Sequence, residues 1–141
     1  VEPSDTARLD YALLAESARL EPGGTVSLWG GSFSRIVVPG FPTQVPLAIV
    51  GRVLLGSQEG PLTLQIKING PDDLYRVTLD TEVGGSGEQM EGVEPAATVV
   101  ASVLLPIPVE GLYVLEAGLP DRDPKVMKFR VIGATVSFPD G

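Results

Sequence analysis

Leu62-Thr63-Leu64-Gln65-Ile66-Lys67-Ile68-Asn69, then Gly70-Pro71-Asp72-Asp73, then Tyr75-Arg76-Val77-Thr78-Leu79-Asp80: this stretch decides the fold class. Leu62, Leu64, Ile66 and Ile68 alternate with Thr63, Gln65, Lys67 and Asn69. A period of two is that of a strand with one face in a core and one in water. Asn and Gly tolerate positive φ, so residues 69–73 read as a turn. Tyr75, Val77 and Leu79 then face in on the next strand, with Arg76, Thr78 and Asp80 out.

The same grammar continues on both sides. Upstream, residues 25–29 and 33–38 read as short strands separated by Gly30-Gly31, a pair that suggests a bulge or a close backbone approach. Pro39-Gly40-Phe41-Pro42 and Pro46 mark an irregular connection. Residues 47–55 are nearly all apolar, as in a strand buried on both faces. Downstream, residues 98–105 form a strand stopped by Pro106 and Pro108. Residues 111–119 form another. Residues 126–132 close the fold with Met127, Phe129 and Val131 on one face. Leu9, Tyr11 and Leu13 alternate as in a strand, whereas Ala12 to Glu16 would suit a helix, and so short a run is undecided by periodicity alone.

Composition agrees with a turn-rich all-β chain. There are 141 residues, 43% of them hydrophobic, with Gly 17 and Pro 13. Val (18) outnumbers Ala (10), and β-branched side chains favour pleated surfaces over helices. Eight or nine short strands at this spacing predict an all-β, single two-sheet β-sandwich, Ig-like or jelly-roll-like, of about eight strands. The expected division is a flexible N-terminal arm at 1–7, a sandwich domain at 8–132 and a C-terminal tail at 133–141. In that tail Val136 and Phe138 are candidates for pairing at an edge. Residues 83–95, with three Gly close together and Glu88, Glu91 and Glu94, are expected to form a mobile loop.

Many chemistries are absent from the alphabet of the chain. With no Cys and no His, there is no Ser-His-Asp or Cys-His catalysis, no thiolate and no imidazole ligand. Gly84-Gly85-Ser86-Gly87 has neither the nucleophile-elbow nor the phosphate-loop context. Paired carboxylates among Asp80, Glu82, Glu88 and Glu91 are the remaining route to hydrolysis, but they lack the aromatic faces of a sugar cleft. The expectation is a protein that is not an enzyme and needs no cofactor. The net charge of −8 (Lys+Arg 10, Asp+Glu 18) opposes a phosphate backbone and an anionic membrane surface. No nucleic-acid partner and no membrane partner are therefore expected.

Three stretches together carry a family resemblance. They are Leu9-Asp10-Tyr11-Ala12-Leu13-Leu14-Ala15-Glu16, then Val26-Ser27-Leu28-Trp29-Gly30-Gly31-Ser32-Phe33-Ser34-Arg35-Ile36, and Glu110-Gly111-Leu112-Tyr113-Val114-Leu115 with a closing Phe129-Arg130-Val131. The chain resembles, over residues 9–132, a family of small uncharacterised bacterial proteins found in actinobacteria and phages. The resemblance implies a compact β-sandwich, strand structure over residues 9–18 and a cytoplasmic location. It implies no activity and supplies no catalytic residues.

The functional expectation is a non-catalytic binding or assembly module acting through protein–protein contacts, with a protein partner or self-association as a homo-oligomer. Its candidate contact residues are Trp29, Phe41 and Ile107. Trp29 follows Leu28 in an apolar strand, which favours the core, while the open Gly30-Gly31 beside it makes a partner anchor the alternative. Phe41 lies between Gly40 and Pro42 in a stiff loop, and Ile107 between two prolines. Arg35 is expected to fix the Gly-Gly bend by bonding loop carbonyls. The alternative is a carbohydrate- or calcium-binding sandwich, with Asp121, Asp123, Asp72 and Asp73 as turn carboxylates.

Overall fold

The computed structural model describes residues 7–56, 62–83, 91–120 and 122–134. Ten strands follow one another: β1 Arg8–Ala15, β2 Ser17–Leu20, β3 Val26–Trp29, β4 Arg35–Val38, β5 Thr43–Leu54, β6 Leu62–Asn69, β7 Arg76–Val83, β8 Ala96–Ile107, β9 Gly111–Gly118 and β10 Lys125–Gly133. A 3₁₀ turn at Pro71–Asp73 joins β6 to β7. One sheet has the order β1-β5-β8. A larger one has β4-β10-β9-β6-β7, and β2 and β3 form a separate hairpin. All pairings are antiparallel except β4 with β10, which is parallel.

The chain is all-β. Its order, with β5 and β8 in one sheet and β6, β9 and β10 in the other, is the Greek-key connectivity of an immunoglobulin-type sandwich rather than a jelly roll. The strand expected over residues 9–18 is there, divided into β1 and β2. The expected N-terminal arm, the tail with Val136 and Phe138, and Glu88 and Asp121 lie outside the described residues, apart from Ala7, which is buried, Gly133, which ends β10, and Ala134.

Alternation puts Leu64, Ile66 and Ile68 of β6 inward, each at most 1% exposed. They meet Leu47, Ile49 and Val53 of β5 in one core cluster spanning both sheets. At Gly51 β5 packs tightly on β6: a Cβ there would stand 3.2 Å from Leu64 Cδ2, so the leucine would have to give way to it. β5 is also buried on its outer face, where Ala48 and Val50 are each 1% exposed. The β2–β3 hairpin accounts for this, because β2 lies against both β5 and β8.

Three details differ from the sequence expectation. In β1 the register shifts between Leu9 and Tyr11, a bulge at Asp10 that reverses the facing of the strand. Leu9, Ala12 and Leu14 therefore join the core, and Tyr11 and Leu13 turn outward. Second, Pro46 and Pro106 do not end their strands. The ladder between β1 and β5 stops at Ala48, so Pro46 has no β1 partner for the N–H it lacks. Pro106 has no second strand beside it among the described residues. Third, Arg35 is exposed and bonds no carbonyl of the Gly30-Gly31 bend. The bend is held by backbone, through Ser32 N–H to Leu14 O (2.7 Å) and Glu16 N–H to Trp29 O (3.0 Å). At Gly30 φ is +61°, a region that suits glycine.

Tyr113 is the largest fully buried side chain. Its ring stacks on Phe129 with centroids 5.5 Å apart, and its hydroxyl donates to Val109 O at 2.6 Å. That hydroxyl bond from the start of β9 back to the preceding corner is the tyrosine corner of Greek-key sandwiches. Tyr113→Phe leaves the Val109 carbonyl without its donor and is expected to cost about 1–3 kcal/mol, read as a lower urea midpoint at unchanged slope. Burial also raises the pKa of two phenols. Tyr113 lies above the usual tyrosine value, and Tyr75, tilted against it, is pushed up to about 12 from 10.0. A raised folded-state value stabilises the neutral form in the fold. That contribution is complete below pH 10 and is lost as pH rises towards 12. Unfolding midpoints measured across this interval should fall, and Tyr75→Phe should make the fall shallower.

Candidate functional site

The three candidate contact residues occupy three different environments. Trp29 is 55% exposed at the end of β3, opposite Ser17, and is absent from the core cluster. The core reading of Trp29 is therefore corrected in favour of a surface ring. The physical reason is that its strand belongs to the small hairpin and not to either layer of the sandwich. No other ring pairs with it among the described residues, where the aromatic contacts join only Phe33, Phe129, Tyr113 and Tyr75.

Phe41 is half-buried and packs against the core. Its Cε2 lies 3.1 Å from where a Cβ would stand at Gly133, so the absence of a side chain there gives the ring its seat. Ile107 is 0% exposed. It is the last residue of β8, opposite Thr43, and alternation turns it inward while the flanking Pro106 is exposed. The expectation of Ile107 as a contact residue is thus corrected: β8 runs through Pro106, so Ile107 is a core residue of a strand, not a loop tip.

The carboxylates do not converge on a cleft. Asp80 and Glu82 point outward on β7, and Asp80 accepts a long bond from Gln65 Nε2 (3.4 Å). Glu91 is exposed. Asp72 and Asp73, both with positive φ (52° and 55°), line a shallow groove of about 570 Å³ with Glu110 and Arg130. Among the described residues no three acidic side chains stand close enough together to hold a metal ion. No helix among them is long and apolar enough to cross a membrane.

Two surfaces went unread in the sequence. The first is the open edge of β8. On one side β8 pairs with β5 over its whole length, from Ala96 opposite Leu54 to Ile107 opposite Thr43. On the other side no strand among the described residues pairs with it. Its twelve residues, AATVVASVLLPI, carry no charge, and Leu104 is 57% exposed. The signal was present in the absence of charge, but only the sheet order shows that this strand is an edge. The second surface is the outer face of the larger sheet, where Arg35, Lys128 and Arg130 are exposed.

A profile of the family of unknown function DUF6941 matches residues 10–132. The chain belongs to this family. The match spans the sandwich from β1 to β10, including the β2–β3 hairpin and both surfaces just described. No curated protein matches the sequence. Membership thus extends over all ten strands and carries no activity with it.

The two aromatic and aliphatic positions should separate cleanly in a stability experiment. Ile107→Ala is expected to cost about 2–5 kcal/mol through the cavity it leaves. Trp29→Ala should stay within about 0.5 kcal/mol, as for an exposed position outside the core. Urea unfolding followed by far-ultraviolet dichroism measures both.

Proposed function

We propose that this protein is a non-catalytic assembly module whose copies associate through the open edge of β8. The observation that supports this most is the β8 edge itself. A strand edge presents unpaired N–H and C=O groups in a row. Natural sandwiches blunt such edges with charges, early prolines or short strands. β8 does none of this until Pro106, and its Thr98-Val99-Val100-Ala101-Ser102-Val103-Leu104-Leu105 run has the composition that pairs most readily.

A second copy is the simplest occupant. Antiparallel pairing of two β8 strands gives a two-fold, closed contact. A charge-free strand meets no like-charge repulsion in any register. The small sheets of two copies would then continue into one six-stranded sheet. On the resemblance to bacterial and phage proteins, the setting of this assembly is the cytoplasm. The acidic surface would keep the assembled form dispersed. The exposed Trp29 favours a second reading, a module for a carbohydrate or calcium, although no row of rings accompanies it.

Size-exclusion chromatography with light scattering tests the first reading. The expected result is a dimer that persists on dilution, with Ser102→Lys/Leu104→Lys giving a monomer of unchanged dichroism. Both positions are exposed, so folding is spared while two new charges meet across the edge. A wild-type monomer at all concentrations, with Trp29 fluorescence shifting on addition of calcium or a sugar, would overturn it in favour of the ligand module.

A further inference from the structure

We infer that the outer face of the larger sheet, around Arg35, Lys128 and Arg130, is a docking surface for an acidic protein segment. This surface is distinct from the β8 edge, which belongs to the other sheet.

The register places the three cations together. Arg130 of β10 is the direct partner of Arg35 on β4, and Lys128 lies two residues from Arg130 on the same face of β10. All three are exposed. Among the described residues the ion pairs are Arg8–Glu94, Arg19–Glu21 and Arg52–Asp10, and none involves these three. Asp72, Asp73 and Glu110 line the groove at the Arg130 end of the patch without forming an ion pair with it, so the open cationic stretch runs from Arg130 and Arg35 towards Lys128. Glu110 accepts a hydrogen bond from Gly133 N–H (3.1 Å), and Glu116 stands opposite Lys67 and Val126. Like charges directly opposite each other on neighbouring strands destabilise a sheet. A chain with 18 acids against 10 bases nevertheless places three cations side by side with no ion pair to any of them among the described residues.

The surroundings say what kind of anion fits. Val37, Leu112 and Val126 share this face and are 54%, 37% and 52% exposed. Leu112 is the direct partner of Arg130 across β9. Cations interleaved with exposed aliphatic side chains match a polypeptide carrying carboxylates and aliphatic residues in turn. A nucleic acid is a poor match, because among the described residues this face has no aromatic ring for a base to stack on, whereas its exposed aliphatic side chains suit a polypeptide.

The test titrates isotope-labelled full-length chain with a short synthetic peptide alternating Glu and Leu, followed by amide chemical shifts. Its counterpart with Lys in place of Glu serves as control. The expected result is shifts confined to the strands β4, β9 and β10 on this face, no shifts with the Lys peptide, and weakening as salt is raised. Arg35→Ser/Arg130→Ser should weaken binding about tenfold while leaving dichroism unchanged, since both side chains are exposed. Four results would overturn the inference. They are no shifts at all, shifts elsewhere, equal binding by the double variant, or tighter binding of a DNA oligonucleotide or of phosphatidylserine vesicles than of the peptide. A salt-sensitive self-association abolished by the double variant would also overturn it, and would assign the face to a second copy of the chain.

Discussion

Tyr113 is the fixed point of the sandwich. Its ring has Phe129 stacked on one side and Tyr75 tilted against it, with centroids at 5.5 Å and 6.4 Å. Phe33 meets Phe129 edge-on in turn, so four rings from four parts of the chain form one connected cluster. The hydroxyl of Tyr113 satisfies the carbonyl of Val109, which fixes the corner through which the chain passes from β8 to β9. Tyr75 does the same for Pro106, donating to its carbonyl at 2.7 Å. Two buried or half-buried phenols thus hold the backbone on either side of Ile107. The corner, the end of β8 and the start of β9 are set by one aromatic cluster rather than by local turn propensity.

How much of this could be read beforehand depends on which forces acted locally. β6 and β7 were legible residue by residue, because alternation directly encodes burial when one face is wet. β1 was legible as a strand only through the family resemblance, and its facing was not legible at all. The bulge at Asp10 is set by pairing with Arg52 and Gly51 on β5, more than forty residues away in sequence, where Arg52 also bonds the Asp10 carboxylate at 2.8 Å. The prolines misled for a related reason. A proline breaks a strand that has neighbours on both sides, and neither Pro46 nor Pro106 has two neighbours among the described residues. Placing Ile107 in a loop was the consequence.

Trp29 shows the same limit from the other direction. Its local sequence, apolar and extended, is indistinguishable from that of a core strand. What exposes it is membership of a hairpin laid over the outer face of β5, which is a tertiary fact. The surface cations illustrate a third kind of hidden information. Arg35 and Arg130 are far apart in the chain, and only the parallel pairing of β4 with β10 makes them neighbours. Charge counting along the sequence gives an acidic protein with no basic run, and that is true of the chain. It is not true of this face.

The parallel pairing has a mechanical consequence as well. β4 follows the N-terminal strands and β10 is the last strand described, yet they run side by side in the same direction from Arg35–Arg130 to Val38–Gly133. Tension applied between the start of β4 and the end of β10 draws β4 backward and β10 forward along their common axis. The load falls in shear across the whole ladder, where the bonds must yield together. An antiparallel hairpin pulled from its open end would instead unzip one bond at a time. The joint that carries this load lies beside the cationic face, so anything bound across β4 and β10 would also reinforce it against tension.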